Sequence, residues 1–171
     1  MKLKSVILVA GIAAALLSAP PAQAQTVDPA VVLNRVCLPY AGRSASFERA
    51  MRAAQDLRFG RPAGSPPLDD YASEVELTSR DGVWRIRLQE RAVTRGDRDA
   101  YALTCALSSE RASATDLGRL IDGVVNGNAR WTAGGNGVRW QRHGGDDALT
   151  EVVVKEAEGQ RPVLDVTGLY F

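Results

Sequence analysis

Two alternating runs joined by a tight turn occupy residues 71–90, and few folds accommodate such a pattern. Tyr71, Ser73, Val75 and Leu77 fall on one side of an extended chain, and Glu74, Glu76 and Thr78 on the other. The return run places Trp84, Ile86 and Leu88 inward and Arg85, Arg87 and Gln89 outward. Between them lies Ser79-Arg80-Asp81-Gly82, whose Asp-Gly pair supplies the backbone freedom a hairpin turn needs. One face of the sheet must therefore be buried and the other wet, which is the signature of an antiparallel sheet packed on one side.

A third strand is expected over Ala100–Ser108, with Tyr101, Leu103, Cys105 and Leu107 inward, after a polar loop at 91–99. Helical signals precede this block. Asp28-Pro29 reads as an N-cap and first helical position for a helix to about Val36, stopped by Pro39. Phe47, Ala50, Met51, Ala54 and Leu57 recur at helical spacing, with Ser44 as the expected cap and Gly60 as the end. Arg61-Pro62-Ala63-Gly64-Ser65-Pro66-Pro67 then reads as a stiff connector.

The order then repeats. Ser113 and Asp116 have capping-box spacing, and Leu117, Leu120, Ile121, Val124 and Val125 form an apolar stripe ended by Gly127. Trp131 and Trp140 flank a glycine hairpin loop at 134–137, and strands follow at Leu149–Lys155 and Pro162–Thr167. The expectation is an α+β fold: an antiparallel sheet of about six strands with two main helices on one face. Each half reads as one helix and three strands, an α-β-β-β pattern that suggests a repeat, although no residue-by-residue identity joins the halves.

The first residues carry a different signal. Lys2 and Lys4 precede the apolar run Val6–Leu17, and Pro20, Pro21 and Ala22-Gln23-Ala24 follow. This is the pattern of a signal peptide over 1–24, cleaved near Ala24, with residues 25–171 as a single domain. The apolar run is too short to span a bilayer and no second one follows, so stable membrane insertion is not expected after cleavage. The reading places the protein in the periplasm or outside the cell. Cleavage leaves 147 of 171 residues and removes two lysines, so 21 basic against 20 acidic becomes 19 against 20. A near-neutral chain has no field to gather nucleic acid.

Export gives the two cysteines a meaning. Cys37 and Cys105 are an even pair in an oxidising compartment, which predicts a disulfide. No nucleophile elbow, zinc-protease motif or dinucleotide fingerprint is present, and no cofactor or metal is expected. His143 with Asp146 and Asp147 is the densest polar cluster, in a turn-like setting. Arg130, Trp131, Arg139 and Trp140 would gather around one hairpin and form the candidate binding surface, since Trp and Arg anchor interfaces; the alternative is that both Trp are core residues capping the sheet, as Trp is usually buried. The function expected is non-enzymatic binding, of another envelope protein or a small ligand. The alternatives are a structural envelope protein and an envelope hydrolase acting on peptide or cell-wall substrates. The hydrolase would work through Cys37 or a carboxylate near His143.

Overall fold

The computed structural model describes residues 27–171 except 70, 127, 129, 135–138, 146 and 157–159. The expected signal peptide, Asp146, Gly127 and most of the 134–137 loop lie outside the described residues. Among the described residues no helix is long and apolar enough to cross a membrane.

The N-terminal helical stretch does not stop at Pro39. It runs as α1 (Pro29–Val32), a π-helical turn (Leu33–Cys37) and α2 (Leu38–Ala41). In an α-helix the Pro39 ring would press on the carbonyl of Arg35, and the π turn widens the helix just before it. The backbone N–H of Leu38 reaches back five residues to the Leu33 carbonyl. Asp28 caps the start, as expected, by accepting from the Ala30 N–H. α3 (Phe47–Asp56) is capped by Ser46 rather than Ser44. It ends before Gly60: Arg58 takes the left-handed position, φ 64°, and Gly60 belongs to a strand. α4 (Ala114–Val125) carries the full Ser113–Asp116 capping box.

Among the described residues the sheet has eight strands, not about six. They are β1 (Phe59–Gly60), β2 (Glu74–Ser79), β3 (Trp84–Arg95), β4 (Arg98–Ser109), β5 (Thr132–Gly134), β6 (Arg139–His143), β7 (Ala148–Lys155) and β8 (Val163–Tyr170). No strand is expected from the sequence at β1, which is two residues long and too short to show alternation, whereas the hairpin expected about residues 134–137 corresponds to β5 and β6, which pair antiparallel. Residues 91–99 are expected to be a loop. β3 and β4 instead run on to the two-residue turn Gly96-Asp97, where Gly96 has φ 66°.

Strand order is β1-β2-β3-β4-β8-β7-β6-β5, antiparallel throughout. Each half contributes four strands in sequence, preceded by helix, and the last strands of the halves pair in the centre. All helices pack on one face. Along it the register aligns Val75, Leu88, Cys105, Val166, Val152 and Trp140 in one row, all buried in the core with Val36, Ala54, Leu117 and Ile121 of the helical layer.

Candidate functional site

The expected site residues fall in several places. Cys37 and Cys105 form a disulfide with Cα atoms 5.1 Å apart, so Cys37 has no free thiol to act as a nucleophile. Trp140 faces the helices, is 2% exposed, and donates from Nε1 to the Asp122 carboxylate of α4 at 2.9 Å. Its neighbour Arg139 points to the other side of the sheet, because successive residues of a strand alternate. Trp131 is half-buried, with the Arg142 guanidinium 5.1 Å from its ring centre, and Arg130 is exposed. Trp140 and Arg139 thus lie on opposite faces of the sheet. A shallow cleft of about 650 Å³ does open beside Trp131 and Trp140, edged by Asp122, Asn126 and Asn128. His143 is exposed at the end of β6, while Asp147 pairs with Arg98 at 3.3 Å. Among the described residues no three His, Cys, Asp or Glu side chains lie close enough to hold a metal.

A different constellation lies on the uncovered face of the sheet. Beyond Arg98 at its start, β4 presents only small side chains there: Ala100, Ala102, Thr104, Ala106 and Ser108. Ala102, Ala106 and Leu169 are buried although they lie outside the main core. The far end of the β3–β4 hairpin supplies part of their cover. β8 pairs with β4 only from Tyr101 to Ser108, so the hairpin runs past its neighbour. Arg95, next to the turn, nevertheless meets Glu151 of β7 at 3.1 Å. In a flat sheet three strand spacings, about 14 Å, separate β3 from β7, and Arg95 lies a further stretch of about 20 Å along the strand from Gln89, the β3 residue in register with Glu151. The hairpin must therefore curl over the face to bring the two together.

Beneath it is a groove of about 590 Å³. Its floor is Ala102 and Leu169, with Val93 and Val153 on its flanks. Four cations line it, Arg91, Arg95, Arg139 and Lys155, against two carboxylates, Glu151 and Asp165. Lys155 is paired with Asp165. Glu151 is shared: besides Arg95 it forms an ion pair with Arg139 at 2.7 Å and accepts from the Gln141 amide at 2.7 Å. Two guanidiniums thus divide one carboxylate, and Arg91 has no ion-pair partner among the described residues. The groove carries two surplus positive charges.

Burial alone would push the Glu151 carboxyl up, but hydrogen bonds from Arg95 and Gln141 and the charges of Arg95 and Arg139 outweigh it. They hold the group below its ordinary value of 4.5. A depressed carboxyl adds stability that is complete above the ordinary range and is lost as pH falls through the folded-state value. Glu151→Gln is therefore expected to lower stability at pH 7 by about 1–2 kcal/mol, modest because both guanidiniums are partly solvated. The gap to the parent protein should close in urea titrations as pH falls well below 4.5. A gap that is the same at acid and neutral pH would show that charge is not what Glu151 contributes.

Arg95, Glu151, Lys155 and Asp165 escaped the sequence reading. One signal was available: Arg85, Arg87, Arg91 and Arg95 are all odd-numbered, hence on one face if the strand continues. Compared with known protein families, with curated proteins and with solved structures, the chain has no match.

Proposed function

We propose that this is an exported binding domain, acting in the periplasm or outside the cell, that captures a small ligand on the uncovered face of its sheet. The observation that carries the proposal is the groove beneath the β3–β4 hairpin. Its volume, about 590 Å³, lies in the range of small-molecule sites, and it combines the apolar flanks of Val93 and Val153 with several converging charged groups. The Cys37–Cys105 bridge supports the exported location, since disulfides persist in oxidising compartments. The groove is preferred to the cleft at Trp131 because Trp140 is committed to the core and Arg142 already stacks on the Trp131 ring.

Protein recovered from its export compartment under non-denaturing conditions is expected to carry a non-covalent small-molecule adduct in native mass spectrometry. Val153→Trp, on the partly exposed groove flank, should abolish the adduct while circular dichroism stays unchanged. Val93→Trp, on the opposite flank, serves the same purpose if Val153→Trp fails to fold. The proposal falls if no adduct is found, or if it survives in the folded variants.

A further inference from the structure

Resting on that reading, we infer that the ligand is a small organic anion with an apolar body: a carboxylate or phosphate monoester on a short hydrocarbon chain. Two features of the groove point the same way. Its cations are under-neutralised, since Arg95 and Arg139 share the single Glu151 carboxylate and Arg91 stands without an ion-pair partner among the described residues. A guanidinium offers planar, forked donors that suit the oxygens of a carboxylate or phosphate. The second feature is hydrocarbon between these cations. Ala102 and Leu169, 2% and 3% exposed, only close the base of the groove, but Val93 and Val153 are partly exposed on its flanks, beside Thr94 and Thr167. A bare inorganic anion would leave those valines unused. A neutral hydrocarbon would leave the surplus charge uncompensated.

The Glu151 carboxylate already occupies part of the anion-binding capacity of the site. An incoming head group binds beside it, on the guanidinium edges it leaves open, and competes with it for Arg95 and Arg139. Removing its charge should therefore strengthen binding of an anion, an effect opposite in sign to the loss of stability expected for the same substitution. The apolar body lies between Val93 and Val153, the partly exposed hydrocarbon side chains of the lining.

The inference is tested by calorimetric titration at low ionic strength with four probes: decanoate, decyl phosphate, decanol and inorganic phosphate. At least one decyl anion should bind at least tenfold more tightly than decanol and than inorganic phosphate. The stronger of the two identifies the head group as carboxylate or phosphate. Arg91→Gln should weaken that binding about tenfold, and Glu151→Gln should tighten it by a similar factor, as expected for one unit charge at close range in a partly solvated site. Equal binding of decanol would reduce the groove to an apolar slot, and equal binding of inorganic phosphate would reduce it to a plain anion site. Either result, or no binding of the decyl anions, overturns the inference, as does a folded Glu151→Gln protein that binds no more tightly. A native adduct that Val153→Trp removes would, alongside such failures, leave the binding face standing and discard only the ligand class.

Discussion

Replacing Gly168 with alanine is expected to unfold the protein at moderate temperature, although it adds one methyl group. Gly168 sits in the middle of β8 on the helix-covered face, beside Leu103 of β4 and Thr150 of β7. The end of α2 crosses directly above it. A Cβ at this position would lie 1.8 Å from the Ala41 carbonyl oxygen and 2.9 Å from its carbon. Both are backbone atoms, so no rotamer change relieves the clash, and shrinking the Ala41 side chain would not help. The same oxygen accepts a hydrogen bond from the Tyr170 hydroxyl at 2.6 Å, which fixes the crossing further. Ordinary overpacking costs about 1–3 kcal/mol because side chains give way. Here the backbone must move by more than an ångström, and a loss of at least about 4 kcal/mol is expected. For a chain of this size that is a fall in Tm of roughly 10–15 °C. Gly123 provides the control. It lies on the exposed side of α4 with nothing near its missing Cβ. Gly123→Ala should raise stability by about 0.5–1 kcal/mol. Thermal melts showing similar effects for both would mean that α2 does not rest on β8.

Sequence periodicity made the covered face of the sheet legible and left the other face obscure, for a physical reason. Val75, Leu77, Ile86, Leu88, Leu103, Cys105 and Leu107 alternate with polar or small residues because one side of each strand meets the core and the other meets water. Beyond Glu90 that contrast ends. Arg91 to Asp99 holds apolar side chains only at Ala92 and Val93, which are adjacent and so lie on opposite faces. The segment is a strand because it pairs with β4 residue for residue as far as Arg95 and Arg98, where Gly96 and Asp97 allow a reversal. Backbone pairing held by a turn leaves no hydrophobic trace. Pro39 failed as a stop signal for a related reason: a π turn absorbs the steric conflict within the helix, and the turn has no composition of its own.

The candidate site depended on what periodicity could not give. Glu151 lies in the run Leu149–Lys155, among valines, where one carboxylate reads as the wet side of a strand. It is buried because Arg95 reaches it from 56 residues away in sequence, over two intervening strands. The Trp131–Trp140 pair shows the reverse: residue types that anchor interfaces drew the sequence reading. The alternation that sends Trp140 inward and Arg139 outward then separated their roles.

The disulfide should be the second-largest single contributor to stability. Cys37, at the end of the π turn, is joined to Cys105 in the centre of β4, and both are fully buried. The bridge closes a loop across a sequence separation of 68, spanning α2, α3 and β1 to most of β4. Loop-closure entropy for that length predicts a loss of about 4 kcal/mol when the bond is absent, a ceiling that residual order in the unfolded chain reduces. Cys37→Ala with Cys105→Ala is expected to lose about 3–4 kcal/mol in urea unfolding. Its m-value should rise, because an uncrosslinked unfolded chain exposes more surface. Wild-type protein unfolded in strong reductant should fall close to the double variant, since both lack the crosslink. A lower midpoint with an unchanged m-value would instead assign the loss to packing of the sulfur atoms in the core. Thiol titration of denatured, unreduced protein should find no free thiols. Two would show the bond is not formed in solution, and the pinning of the N-terminal helices to the sheet would then rest on packing alone. Cys105 points to the helices while its neighbours Thr104 and Ala106 face the groove side. The bridge therefore braces, from behind, the strand whose small residues form the groove floor, and its loss should loosen that face together with the core.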